Sequence, residues 1–407
     1  MQAKFATITG FVAFGSLIIA VAVSAHGPAS QPRGSAGGRA IEFPDTASHQ
    51  TLVVDLHTHS AFSDGHVWPG IRVGEAIADG LDAFAITEHL EWQPHLDDIP
   101  HPDRNRAYQV ALEAVPETSD LIVIAGSEIT RQAPFGHMNA VFIRDANALV
   151  RPGVPPVPFD AIENFRTAAA WPTESAVQAA SEQNAFVFWN HSWSEFANRK
   201  TEITEFHRNA LKRGWLHGIE IANGATYSPE SFQIALDHGL TPVGVSDVHN
   251  LIDWDYVPHE GGHRPVNLVF AKERSSAAIR EALMEGRTVV WYRNELIGRQ
   301  EHMAPLLSAS IELTRAAYRR ADSHVLEITF SNRSDAEFEL ENLTDHTFVR
   351  NTRVARIPAH AERTLLLRTG SRLKKLGLEF RIRNALIAPG THPSVVFETG
   401  VEDHSGS

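Results

Sequence analysis

The run Asp55-Leu56-His57-Thr58-His59-Ser60-Ala61-Phe62-Ser63-Asp64-Gly65 is the densest stretch of metal-ligand chemistry in the chain. In an extended strand, side chains at i and i+2 point to the same side, so His57 and His59 can converge on one ion. The Ser-Asp-Gly turn that follows can fold Asp64 back over the same mouth. Ligand-type residues recur at the edges of later apolar runs. His89 closes AITEH, Glu128 stands at the end of IAGSEIT, and His137 lies at the entrance to MNAVFI. His191 follows the run FWN, and Asp247 and His249 repeat the i, i+2 pairing in SDVHN.

The chain has 22 histidines and no cysteine. Disulfides, iron–sulfur clusters, thiolate zinc sites and a cysteine nucleophile are therefore excluded, and any ion must be held by nitrogen and oxygen. Such ligands suit Mn, Zn or Fe better than Mg alone or copper. Two close ions that share a carboxylate can lower the pKa of a bridging water and clamp the attacking and leaving oxygens of an in-line displacement at phosphorus. On that chemistry a hydroxide between the ions is the nucleophile, and no covalent intermediate forms. A third ion would bind a nonbridging phosphate oxygen or stabilise the leaving group.

These residues need a scaffold that brings strand ends together. Short apolar runs recur at 52–56, 82–87, 121–126, 138–143, 185–190, 218–223, 241–246, 266–271 and 288–292. Helical patterns lie between them, at 69–80, 173–184 and 228–239. Alternating strands and helices with continuous apolar strands predict a mostly parallel sheet covered by helices. Seven or eight such units over about 250 residues point to a closed or nearly closed α/β barrel, whose active site collects at the strand ends. An open doubly wound sheet is the alternative. After about Ser308 the runs ASIEL, HVLEITFSN, EFELENL, RTLLLRT, LEFRIRN and SVVFETG predict a small β-sandwich.

In order along residues 50–300, HTHSAFSDG, AITEH, GSE, GHMN, NHSW and SDVH resemble the successive motifs of the PHP (polymerase and histidinol phosphatase) family. The resemblance implies a distorted (β/α)7 barrel with two or three divalent ions. Carried over by residue, it implies His57, His59, Glu128 and Asp247 on a first ion. A second would be held by Glu128, His137 and His191, with Glu128 bridging, and a third by Asp64, His89 and His249. Glu128, Asp247 and His249 would act in catalysis through the metals. The departures lie beside the ligands, where Ser192 follows His191 and Glu88 precedes His89. The implied activity is hydrolysis of a phosphate monoester or small diester, so the expected partner is a small phosphorylated substrate. Two alternatives stay open: a metallohydrolase acting on another bond such as an amide, and a binding role with a degenerate site.

Other residues are candidates for substrate contact. Arg131, three residues beyond Glu128, could meet an anion, and Trp193 could wall a pocket. Trp92 and His95 could lie on a substrate loop, while Glu220 reads as a hydrogen-bond acceptor at the rim, near Asn223. The basic run Arg372-Leu373-Lys374-Lys375 reads as a solvated turn or edge strand.

The 407 residues carry a net charge of −13 with 43% hydrophobic and 21% charged residues. A globular protein fits this composition, and a surface built to coat nucleic acid does not. Residues 1–25 read as a signal peptide. Lys4 precedes an apolar stretch from Gly10 that ends in Val23-Ser24-Ala25. That stretch falls short of the roughly 20 residues a bilayer span needs. The expected organisation is a signal peptide at 1–25, a linker at 26–50, a barrel at 51–305 and a β-sandwich at 306–407. The protein is expected to be exported to the periplasm or beyond, without a membrane span after signal removal.

Overall fold

The computed structural model describes residues 39–150, 160–320 and 322–402. The expected signal peptide and most of the expected linker lie outside them.

The barrel is built from β1 (Gln50–Asp55), β2 (Ala83–Ile86), β3 (Ile122–Ile129), β4 (Met138–Val141), β5 (Phe186–Trp189) and β6 (Gly218–Asn223). It continues through β7 (Thr226–Tyr227), β8 (Thr241–Val245), β9 (Val266–Ala271), β10 (Thr288–Tyr292) and β11 (Glu295–Gly298). Its helices are α1 (Pro69–Ala78), α2 (Arg106–Glu113), α3 (Ala161–Ala169), α4 (Thr173–Glu182), α5 (Glu205–Lys212), α6 (Pro229–His238), α7 (Ile252–Tyr256) and α8 (Ser276–Met284). All nine apolar runs seen in the sequence are strands. The three helical patterns are α1, α4 and α6. Helix α6 is capped by the Ser228 side chain, which accepts from Ser231 N, and it ends on Gly239 in the left-handed region at φ 67°.

The sheet runs β11-β10-β9-β1-β2-β3-β4-β5-β6, with β7 and β8 both on β6. β1, β2 and β3 are mutually parallel, as are β5, β6 and β8. β4 runs against both of its neighbours. The cause is length: residues 130–137 are too few for a parallel crossover, which needs a dozen or more. β9 is antiparallel to β1 and β10. β10 and β11 form a hairpin through Arg293 and Asn294, both at positive φ (49° and 66°), as a type I′ turn requires.

β8 is not laddered to β9, and side chains and strand ends bridge that gap. Asn267 Nδ2 donates to Val54 O and Gly244 O, and its Oδ1 accepts from Gly244 N. Gly244 lies so close to β10 that a Cβ there would meet Val290 Cγ1 at 2.2 Å. Beyond the ends of β1 and β8, Asp247 N donates to His57 O at 2.9 Å and His59 N to Val248 O at 3.1 Å. The barrel therefore closes by backbone pairing at the segments that carry candidate ligands. Leu52, Val54 and Leu56 alternate into an interior cluster with Phe186, Phe188, Val243 and Val245, while Val53 faces the helices.

Helix α9 (Gln300–Ser310) leads into the second unit. Its strands are β12 (Ile311–Tyr318), β13 (Val325–Asn332), β14 (Phe338–Asn342), β15 (Thr347–Phe348), β16 (Val354–Ile357), β17 (Glu362–Arg368), β18 (Lys375–Ile382), β19 (Ala385–Leu386) and β20 (Ser394–Gly400). Two four-stranded sheets, β12-β13-β17-β15 and β16-β14-β18-β20, form the sandwich. Strict alternation drives this: in β13 every second residue is buried, from Leu326 to Asn332. β19 leaves the sandwich and pairs parallel with β11 of the barrel, extending its sheet. One hydrophobic cluster runs from Trp291 and Leu296 through Met303, Leu306 and Leu307 to Phe330, Phe338 and Phe380. Barrel and sandwich share a core.

No helix among the described residues is long and apolar enough to cross a membrane.

Candidate metal centre

The nine expected ligands come from six strands but meet at one rim. His57, His59 and Asp64 follow β1, His89 follows β2, Glu128 sits within β3, His191 follows β5, and Asp247 and His249 follow β8. His137 precedes its strand. Because β4 is reversed, its start lies at the rim where the parallel strands end.

Nε2 of His57 and Nε2 of His59 are 2.9 Å apart. Each is 3.2 Å from Asp247 Oδ1, and they lie 3.5 and 3.4 Å from Glu128 Oε2. Ligands bonded to one ion at metal–ligand lengths near 2.1 Å stand about 3 to 3.5 Å from one another. These four atoms outline one ion's coordination shell. The other oxygen of Glu128, Oε1, is 2.9 Å from His137 Nδ1 and 3.5 Å from His191 Nε2. One carboxylate thus faces two groups of imidazoles. In a third group, Asp64 Oδ1 is 3.0 Å from His249 Nε2, and its Oδ2 is 3.4 Å from His89 Nε2. The His59 ring lies between those of His89 and His249, at 4.5 and 4.3 Å. His89 also reaches Glu128 Oε2 through Nδ1 at 2.8 Å, so it stands where the first and third groups meet.

The rings are held from behind. His57 Nδ1 donates to Glu220 Oε1 at 2.8 Å. His59 Nδ1 is 3.2 Å from Ser63 Oγ, which in turn donates to Glu88. His191 Nδ1 meets Ser194 Oγ at 3.1 Å, and His249 Nδ1 donates to Asp247 O at 2.9 Å. With each Nδ1 engaged, Nε2 is left facing the pocket, the arrangement that orients metal-binding imidazoles. Asn190 Nδ2 donates to Glu128 Oε1 at 2.9 Å. Two ligands sit on left-handed backbone, His191 at φ 21° and Asp247 at φ 50°. Strain of this kind persists only where surrounding contacts impose it.

Burial works against charge at Glu128, yet His89, His57 and His137 hold its carboxyl well below the usual range. Asp247 is likewise held well below it, against burial, by His57, His59 and His249. Asp64 follows the same pattern through His89 and His249. Burial, with His249 and His89 alongside, pushes His59 down to about 3. At His191 burial is overcome by Glu128, Asp247 and Glu220, which raise it to about 9. Glu128 Oε2 and Asp64 Oδ1 are buried, and the imidazole nitrogens beside them, His89 Nδ1 at 2.8 Å and His249 Nε2 at 3.0 Å, lack hydrogen-bond geometry to them. Buried anionic oxygens that lack a donor fit divalent cations. The donor set and its spacing fit the ions the sequence implies.

The two residues expected to meet substrate are both buried. Arg131 is 7% exposed, its guanidinium closed on Glu91 and donating to Trp171 O, and Trp193 is 5% exposed. The Trp92 ring packs edge-on against Phe165 at 6.1 Å. Glu220 is the rim hydrogen-bond acceptor expected from the sequence, whereas the supporting roles of Ser63, Ser194 and Asn190 were not read there. Glu220 did leave a signal, a carboxylate inside the apolar run GIEIAN, which has to find a buried partner.

A solved two-domain protein of Bacteroides vulgatus that contains a predicted PHP-like metal-dependent phosphoesterase is 34% identical to this chain. The match covers 90% of this chain and 100% of that one, with a TM-score of 0.78. The chain belongs to the PHP-like family. Its sandwich matches a family model described as DUF5001: Ig-like domain, over residues 311–398. A proposed metal-dependent phosphoesterase of Bifidobacterium adolescentis is 19% identical, covering 57% of this chain and 96% of that one at TM-score 0.37. An amidohydrolase of Chromobacterium violaceum is 17% identical, covering 52% and 90% at TM-score 0.32. These two are too distant to inform the chemistry. No curated protein matches the chain. As a PHP-like protein the chain is a metal-dependent hydrolase, and the rim described above is its clustered His, Glu and Asp site.

Proposed function

We propose that the protein is an exported phosphoesterase that hydrolyses a phosphate monoester or small diester with two or three divalent ions, Mn, Zn or Fe. The observation that carries this reading is Glu128: its two oxygens face separate imidazole groups within one buried pocket. His57, His59, Glu128 and Asp247 would hold one ion and Glu128, His137 and His191 a second. Asp64, His89 and His249 would hold a third. Ions bound there supply Lewis acidity and a water of lowered pKa. The chain's own residues supply the rest. Asp247 and Glu128 stay anionic behind a wall of protein, and the partners behind Nδ1 turn the Nε2 atoms of His57 and His59 into the pocket. Asp64, at the mouth, would help hold a third cation, whose charge favours an anionic phosphoryl oxygen over a neutral amide. The N-terminal pattern in the sequence supports export.

The test is an assay of the purified protein against phosphomonoesters, small phosphodiesters and amides, before and after chelation and on return of Mn or Zn. Phosphate ester hydrolysis that is lost on chelation and restored by metal is expected. Turnover confined to amides would overturn the substrate class, and full turnover after complete metal removal would overturn the mechanism.

A further inference from the structure

Glu220 lies on β6 with its side chain fully buried, and it is not among the nine ligand positions. Its two oxygens serve different parts of the rim. Oε1 accepts from His57 Nδ1 at 2.8 Å. Oε2 accepts from the backbone N–H of His191 at 2.5 Å and from Asn223 Nδ2 at 2.9 Å. Asn223 Nδ2 also donates to Asp247 Oδ2 at 3.0 Å. A single carboxylate therefore touches one ligand of the first group directly, the backbone of a ligand of the second, and Asp247 of the first group through one amide.

Every atom that meets Glu220 is a donor, and this decides what the residue does. A neutral imidazole carries its proton on one nitrogen, and a carboxylate at Nδ1 selects the form with Nε2 bare. Nε2 is the atom facing His59, Glu128 and Asp247. The same carboxylate holds the His191 N–H while that residue sits at φ 21°, a conformation an unaided histidine rarely adopts. Without the acceptor, a buried N–H would be left unpaired, and the turn that aims His191 at Glu128 would lose its tether.

We infer that Glu220 is the positioning residue that builds both ion groups at once, fixing the metal-binding tautomer of His57 and the turn that carries His191. This rests on the metal reading of the rim. A glutamine at 220 cannot replace it. With its amide nitrogen toward His57, Nδ1 must accept, and the proton moves to Nε2, the ligand position. With the amide turned over, NH2 meets the His191 N–H and the Asn223 NH2, donor against donor.

The experiment compares wild type, E220Q and E220D. Zn and Mn uptake is measured by calorimetry and metal analysis, and the state of the imidazole nitrogens by 15N NMR of the zinc-loaded proteins. Wild type is expected to show His57 protonated at Nδ1 with zinc on Nε2, and E220Q to show a proton in place of zinc on Nε2. E220Q is expected to bind metal about 10- to 100-fold more weakly, the cost found for losing a partner behind a ligand. E220D keeps the acceptor chemistry but withdraws it by one methylene, so it is expected to fold, to keep the wild-type tautomer and to lose less affinity. If E220Q does not fold, E220D decides through its affinity. Wild-type affinity and tautomer in E220Q, or unchanged affinity in E220D, would overturn the inference while leaving the metal site standing. Failure of the wild type to take up metal would overturn the metal reading and this inference with it.

Discussion

His57 and His59 face each other with their Nε2 atoms 2.9 Å apart, in a pocket where both side chains are fully buried. Two imidazoles at that distance cannot both carry a proton on those nitrogens without direct repulsion. The pair is stable as two acceptors on one cation. Replacing His57 by alanine is expected to reduce hydrolysis by more than about 100-fold. Metal content should fall as well, while far-ultraviolet circular dichroism stays that of wild type. His191→Ala is expected to behave alike, since it faces the other oxygen of Glu128. Full turnover in either variant would remove the assignment of the rim as the reaction centre.

The third group is more open than the first: the Asp64 side chain is 13% exposed and that of His249 16%, whereas His57 and Glu128 are fully buried. An ion at Asp64, His89 and His249 is therefore expected to exchange first. Asp64→Asn should lower the metal-to-protein ratio by one while leaving the ions at Glu128 in place, with activity reduced about 10- to 100-fold. Metal analysis after gel filtration checks this. Loss of every ion in that variant would show that the groups fill as a single unit.

The strands were legible because each carries a continuous apolar run, and the ligands because they stand at the ends of those runs. Strand direction was not. His137 stands at a strand entrance while the other ligands stand at exits, and only the reversal of β4 puts it at the common rim. Long-range polar pairing was also hidden. Arg264, 1% exposed in its side chain, donates to Asp79 at 2.9 Å and to Asp55 at 3.2 Å, partners 185 and 209 residues away. Asp55 in turn accepts from Ser246 Oγ at 2.6 Å, next to Asp247. Nothing local in an arginine or aspartate announces such a partner, because charge is ordinarily solvated. The sandwich was legible as a unit through its alternation, whereas its strand β19 is only two residues long and joins a sheet belonging to the barrel.

Two histidines away from the rim set an acid limit on the fold. His207 stacks on Trp189 at 3.7 Å, and burial pushes it down to about 4. His263 stacks on Trp291 at 3.5 Å, and burial pushes it to about 4 as well. In the unfolded chain both return to about 6.5. Between these values the unfolded state binds protons that the folded state refuses, so stability rises with pH there. The stabilisation is complete above pH 6.5, falls as pH drops toward 4 and levels off below. Each histidine contributes up to about 3 kcal/mol across that window. Urea unfolding at pH 7.5, 6, 5 and 4 is expected to show this decline, and H207F is expected to flatten part of it. A stability independent of pH from 7 to 4 would contradict the buried neutral state of these rings.

The Asn384 side chain makes three hydrogen bonds at the junction, one to the barrel hairpin and two within the sandwich. Its Nδ2 donates to Asn294 O at 2.9 Å and Glu337 O at 2.7 Å, and its Oδ1 accepts from Glu339 N at 3.0 Å. Asn294 answers from the hairpin by accepting from Glu337 N at 2.8 Å and donating to Glu337 O at 3.0 Å. The same junction carries the β11–β19 pairing and the shared hydrophobic cluster. A boundary with this much crossing it does not behave as a linker, which carries few contacts. N384A leaves main-chain groups of both units without partners in a largely buried setting, a cost of about 1 to 3 kcal/mol for each group left unsatisfied. The expected result is a lower melting temperature with a single calorimetric transition, because the two units unfold together. Two separated transitions, with the upper one unmoved by N384A, would show that the barrel holds without the sandwich and that the common core contributes little to cooperativity.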